Sequence, residues 1–196
     1  MKIIAHRGGM SRGMQNAPEG VRLAARYRVD FVELDVVKKS PTDGFCCVHG
    51  WGRGSDLESC LAEMGEEMGL MAHLKGSYER EDLERLLKVI LPQVPLERVI
   101  FASHGDAVLR RLHEISPNAQ LARFGLMSAI SAMWEPKLKP WQYCLIHHSV
   151  LLNCHVKALQ RRGYSVMASC VWEFRSRDSV KRLGVDGAFV NLYADS

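Results

Sequence analysis

Residues 69–103 read GLMAHLKGSYEREDLERLLKVILPQVPLERVIFAS, and the reading of this stretch decides the architecture. Its two ends, GLMAHL (69–74) and RVIFAS (98–103), are apolar runs of strand length. Between them, YEREDLERLLKVIL (78–91) carries Leu83, Leu86, Leu87 and Ile90 at helical spacing, with Glu79, Glu81 and Asp82 where the first turn exposes its positive dipole end. Strand, helix, strand predicts two parallel strands joined by a right-handed crossover.

Outward from this unit the pattern repeats. KIIA (2–5), DFVELDVV (30–37), AQLARF (119–124), YCLIHH (143–148), YSVMAS (164–169) and DGAFVN (186–191) are further strand candidates. Helical segments are expected at 17–28, 55–68, 105–115, 126–134, 149–162 and 176–184. With the first two runs this makes eight strands alternating with helices, so a compact α/β chain is expected, a (β/α)8 TIM-type barrel spanning 1–196 as one domain. A doubly wound sheet with two strands miscounted is the alternative. The apolar LMSAISAMW (126–134) is expected to pack in the core.

Composition narrows the class. With 47% hydrophobic and 24% charged residues the chain reads as an ordinary globular protein. The net charge of +4 is spread along the chain, which suits an anionic small substrate and gives no nucleic-acid-binding block. No run approaches 18 apolar residues, and the start is too short for a secretory h-region, so no membrane span and a cytoplasmic location are expected. The six cysteines lack Cys-x-x-Cys spacing and read as reduced, mostly buried thiols.

In a barrel of this kind chemistry gathers where strands end. His6 and Arg7 follow the first run, Glu33 and Asp35 close the second, His73 and Lys75 close the third, and Trp172 follows the seventh. Glu33 and Asp35 are two apart and so share one strand face inside an apolar run. Two buried carboxylates side by side repel unless a cation lies between them, which points to a hard divalent ion. A plainer reading has one carboxylate near solvent and the other paired with Arg7. DGFCCVHG (43–50) reads as a return hairpin that would bring His49 to the mouth occupied by His6, and two histidines there suit acid/base cleavage of a phosphodiester. Of the neighbouring His147 and His148 at most one can point into the site, His104 reads as a helix cap, and His113 and His155 read as surface residues.

IAHRGG, PEG before an amphipathic helix, FVELDV, DG and VHG occur in this order within fifty residues. This order resembles the glycerophosphodiester phosphodiesterase family, whose pattern runs His-Arg-Gly, Pro-Glu-Asn-Thr, Glu-x-Asp, Asp-Gly and His-Asp. GLMAHLKG, FASHGD, GYSVMASCVW and LGVDGAFVN resemble its later strand ends. The resemblance implies a barrel fold and metal-dependent hydrolysis of a glycerophosphodiester, or a related small phosphodiester, to glycerol 3-phosphate and an alcohol. It implies His6 and His49 as the acid/base pair, Arg7 and Lys75 on the phosphate, Trp172 as an apolar wall, and Glu33 and Asp35 as metal ligands. His73 stands where the family has a third ligand, a Glu, so Mg²⁺ or Ca²⁺ is implied by the family while Mn²⁺ or Zn²⁺ suits the imidazole better. Gly20 and Val21 replace the Asn-Thr pair, Gly50 replaces the Asp after the second His, and the cap-building excursion shrinks to about one helix over 51–68. A binding-only barrel, or a phospholipase-like barrel acting through a cyclic phosphate, is the alternative function.

Overall fold

The structure is a computed structural model that describes residues 1–9, 13–39, 44–50, 54–135, 139–171 and 180–192. Eight parallel strands form a ring in chain order: β1 (Lys2–Ala5), β2 (Phe31–Lys38), β5 (Gly69–Lys75), β6 (Val99–Ser103), β7 (Gln120–Phe124), β8 (Tyr143–His147), β9 (Ser165–Val171) and β10 (Gly187–Val190). β1 pairs with both β2 and β10, which closes the barrel. Two short antiparallel strands, β3 (Phe45–Cys47) and β4 (Ser55–Asp56), extend from β2 as the expected hairpin. The helices are α1 (Pro18–Arg26), α2 (Leu57–Leu61), α3 (Arg80–Ile90), α4 (Asp106–Ile115), α5 (Leu126–Trp134) and α6 (Asn153–Arg161). The excursion after β2 is limited to β4 and the five-residue α2, with no developed cap among the described residues. No described helix is long and apolar enough to cross a membrane.

The strand period of two explains how the ring is filled. Ile4, Phe31, Met71, Ile100, Ala122, Leu145, Met167 and Phe189, one from each strand, pack together inside the ring. The alternate residues, such as Val32, Leu34, Leu70, Leu74 and Phe101, pack outward against the helices. α3 supplies Leu83, Leu86, Leu87 and Ile90 to that outer layer, as its spacing predicts. Its first turn closes with a capping box in which Glu79 accepts from the Asp82 backbone and Asp82 accepts from the Glu79 N–H.

Two glycines lock the first loop to the first helix. Gly8 has φ +79°, and a Cβ on Gly20 would lie 2.3 Å from the Met14 carbonyl oxygen and 3.2 Å from that of Gly8. Gly20 leaves room for the Met14 and Gly8 carbonyls, which rest on the helix backbone at that point. The change Gly20→Ala, which helps an isolated helix by about 1 kcal/mol, is expected to lower stability here by ~1–3 kcal/mol through overpacking. The midpoint of urea unfolding reads this directly, and a midpoint unchanged or raised would contradict the packing described.

α5 departs from the sequence expectation. Ala129 and Ala132 are its buried residues, whereas Met127 is 75% and Trp134 81% exposed. Leu126 and Met133 pack half-buried against the outer core beside these alanines, so the segment is core on one face and surface on the other.

Candidate functional site

Two residues beyond the apolar ring, most of the strands turn polar on the same inner face. Ile4 is followed by His6, Phe31 by Glu33 and Asp35, Met71 by His73 and Lys75, Leu145 by His147 and Met167 by Ser169. These residues line one cavity of about 380 Å³ at the C-terminal mouth, together with Arg7, His104, Phe124, Gly125, Leu126, Val150 and Phe189. His147 lines it and His148 does not, as opposite-facing neighbours require.

Glu33 and Asp35 are both 1% exposed. Every oxygen of the pair has a donor. Glu33 Oε2 accepts the Arg7 backbone N–H at 2.9 Å, and Glu33 Oε1 lies 3.2 Å from His73 Nδ1. Asp35 Oδ1 lies 2.9 Å from Lys75 Nζ and 3.3 Å from His73 Nδ1. Asp35 Oδ2 lies 2.9 Å from His49 Nδ1 and 3.2 Å from both Arg7 Nε and Asn16 Nδ2. Burial by itself would raise the Asp35 pKa, but the His73 hydrogen bond and the Lys75 charge outweigh it and hold the carboxyl well below the usual carboxylate range.

Local backbone explains how these groups meet. Arg7 adopts φ +51°, uncommon for a side-chain-bearing residue. It is held there by its own N–H on Glu33, by the Gly9 N–H on the His6 carbonyl and by the Asn16 N–H on the Arg7 carbonyl. His49 arrives by pairing: after Val36 meets Cys47 in the hairpin, the Val48 N–H donates to the Asp35 carbonyl and the next side chain lies beside the Asp35 carboxylate. Its Nε2 is 3.1 Å from Arg7 Nη2. A guanidinium can only donate, so this nitrogen accepts and Nδ1 carries the proton given to Asp35.

The histidines differ in setting. Burial lowers the His6 pKa, with the Glu33 charge working the other way, and His6 also hydrogen-bonds the Asn191 side chain. His73 feels the same burial, but its hydrogen bonds to Asp35 and Glu33 prevail and raise its pKa. His73 and His104 both stack on Phe124, with ring centres 4.1 Å and 4.8 Å from it. Burial and the His73 and Lys75 charges push His104 down to about 4.

The ligand atoms of Glu33, Asp35 and His73 all lie within 4.8 Å of one another, and all three residues are buried. Two carboxylates and one imidazole nitrogen so placed fit a single divalent cation. His6, Arg7, Glu33, Asp35, His73 and Lys75 line this one cavity, His49 touches Asp35 and Arg7 but lines a neighbouring pocket with Gln15, Asn16 and Ser55, and Trp172 lies outside the described residues. Asn16 is a site residue that the sequence analysis missed. Its Oδ1 accepts the Asp35 backbone N–H at 2.8 Å while its Nδ2 donates to the same residue's carboxylate. Asn16 itself has φ +55°, a conformation Asn tolerates better than most residues, and its place just ahead of Ala17-Pro18 was the available signal. It supplies an amide that the Gly20-Val21 pair cannot.

No protein-family model matches the sequence, and no curated protein does. Solved structures do match. A phosphodiesterase from Oleispira antarctica, in complex with the product sn-glycerol-3-phosphate, superposes with a TM-score of 0.82 at 17% identity, covering 97% of this chain and 92% of that one. A glycerophosphodiester phosphodiesterase from Parabacteroides distasonis gives 0.81 at 17% identity over 97% and 92% of the two chains. One from Agrobacterium tumefaciens gives 0.72 at 16% over 98% and 96%. The chain shares the barrel fold of these proteins along nearly its whole length, which agrees with the fold implied by the motif resemblance.

Proposed function

We propose that this protein is a metal-dependent phosphodiesterase that hydrolyses a glycerophosphodiester or a related small phosphodiester. The observation that carries the reading is the set of groups around the buried Glu33–Asp35 pair: His6, Arg7 and Lys75 line the cavity with it, and His49 contacts Asp35 and Arg7 from the neighbouring loop. The solved relatives of the same fold, one of them holding sn-glycerol-3-phosphate, support the same chemistry.

Each group has a task that its setting suits. Arg7 and Lys75 present a planar fork and a point charge to the nonbridging phosphate oxygens, where negative charge builds in the transition state. His6 and His49 form the acid/base pair: one takes the proton of the attacking oxygen and the other returns a proton to the departing alkoxide. Asp35, held ionised, orients His49 through Nδ1 and leaves Nε2 against Arg7 Nη2. Glu33, Asp35 and His73 would hold the divalent cation. When bound, the cation would supply Lewis-acid neutralisation of charge on the phosphoryl oxygens, which makes the phosphorus more electrophilic. His73 takes a position that is a carboxylate in the resembling family, which lowers the site's negative charge and shifts its preference from Mg²⁺ and Ca²⁺ toward Mn²⁺ and Zn²⁺.

Release of glycerol 3-phosphate from glycerophosphocholine tests the reading. EDTA is expected to reduce it at least about tenfold, with Mn²⁺ or Zn²⁺ restoring more than Mg²⁺ or Ca²⁺. The change His73→Glu is expected to reverse that order. Turnover indifferent to EDTA would remove the cation from the mechanism. Binding of the ester with no release under any cation would replace the enzyme by a binding-only barrel.

A further inference from the structure

β8 and β9 stand four places round the ring from β2 and β5, so they face the charged side of the cavity. Their inner-ring residues are Leu145 and Met167, and two residues further on they present His147 and Ser169 to the same cavity. His147 and Ser169 are register partners on adjacent parallel strands. Their side chains therefore leave the inner face one strand spacing, about 4.8 Å, apart. Ser169 is only 7% exposed, yet its hydroxyl has no hydrogen-bond partner among the described residues. Buried hydroxyls are normally paired, and this one opens on the cavity. His147 is set as a donor. The Ser149 N–H donates to His147 Nδ1 at 3.3 Å, and the Ser149 hydroxyl lies 2.7 Å from the same atom. A nitrogen that accepts carries no proton, so the ring proton of the neutral imidazole sits on Nε2. Burial and the His148 charge lower the His147 pKa, which favours that neutral form. Nε2 itself has no partner among the described residues.

We propose that His147 and Ser169 read a hydroxyl group on one alcohol substituent of the phosphodiester, across the cavity from a phosphate held at Arg7 and Lys75; this rests on the phosphodiesterase reading and names what its substrate carries. The hydroxyl oxygen accepts the His147 Nε2 proton, and the hydroxyl proton goes to Ser169 Oγ. One neutral group thereby pairs a free donor and a free acceptor that stand side by side. A charged head group would find no opposite charge in this pair. A chain lacking the hydroxyl would displace water from Ser169 and His147 and return neither hydrogen bond, which is how a site built for a hydroxyl rejects the analogue without one.

Calorimetric titration with nonhydrolysable methyl phosphinates, in Mn²⁺, tests this. The second chain is butyl, terminally hydroxylated butyl or dihydroxybutyl, so the anion is constant and only the hydroxyls differ. The better hydroxylated member is expected to bind at least about fivefold tighter than the butyl one, the low end for two neutral hydrogen bonds. Ser169→Ala and His147→Phe are each expected to cut that preference to about twofold or less, with the butyl compound bound much as before. His147→Gln keeps an N–H donor and is expected to regain part of what His147→Phe loses. His147 is exposed, so its variants keep the fold even where Ser169→Ala disturbs it, and thermal unfolding checks each. Equal affinity along the series in wild type, or a hydroxyl preference that survives in either folded variant, overturns the proposal. Release of glycerol 3-phosphate from glycerophosphocholine, followed in parallel, separates the two readings. A hydroxyl preference without release refutes the hydrolase while the hydroxyl site stands, and release without a preference refutes the hydroxyl site alone.

Discussion

Turnover of a small phosphodiester falls about 10²–10⁴-fold when His49 is replaced by alanine, the usual contribution of a positioned general acid or base. His49→Ala removes the imidazole whose Nδ1 rests on Asp35 and whose Nε2 meets Arg7. Its side chain is 48% exposed, so the fold has little to lose with it. His6→Ala is expected to fall by a similar factor. Groups that act on one proton circuit are not additive, so the double variant should be little worse than the poorer single one. Thermal unfolding of all three, compared with kcat/KM on glycerophosphocholine, checks the result. Near-normal turnover in either folded single variant would remove that histidine from the acid/base pair.

Asp35→Ala is expected to cost both activity and stability. Asp35 is the shared acceptor of His49, Lys75, His73, Arg7 and Asn16, and removing it leaves their positive ends facing one another. Breaking one side of a buried ionic cluster costs about 3–5 kcal/mol. Arg7 and Lys75 border the open mouth and can turn to water, which places the expected loss near the lower figure, about 3 kcal/mol. Activity should fall by more than about 10³-fold, because His49 loses its orienting partner and the cation site one of its three ligands.

The same carboxylate sets a pH signature. Its folded pKa is depressed, so its stabilisation is complete above its unfolded value of about 4 and disappears as the pH falls through the folded value. Wild type should therefore lose stability on acidification below about pH 4 more steeply than Asp35→Ala. Urea midpoints at pH 7 and at stepwise lower pH measure both effects. A variant as stable as wild type at neutral pH, with the same acid slope, would contradict the role of Asp35 as the hub.

The strands and their order were legible because the information is local. Each inner-ring residue and its polar successor sit two positions apart on one chain, as Phe31, Glu33 and Asp35 do, and the pleat then sends all three inward whatever the rest of the protein does. Eight apolar runs separated by amphipathic helices point to a parallel sheet buried on both faces, and the count of eight favours the closed barrel over the doubly wound alternative. The Glu-x-Asp strand and the histidines around it could be named on that basis alone.

What local pattern could not carry was decided by contacts between distant segments. Asn16 matters because a left-handed turn aims its amide at Asp35, nineteen residues on. Gly20 matters because the backbone of another turn passes over it. LMSAISAMW is apolar but for Ser128 and Ser131, so its composition predicted burial without saying which face. Packing against the ring chose Ala129 and Ala132 and left Met127 and Trp134 exposed. The sequence by itself determined the strands, the barrel and the charged groups at its mouth, since periodicity along one chain dictates which side chains point inward. Only the tertiary structure decided which of those charges share Asp35, because closure of β1 on β10 and the helix packing around it set distances that no local spacing encodes.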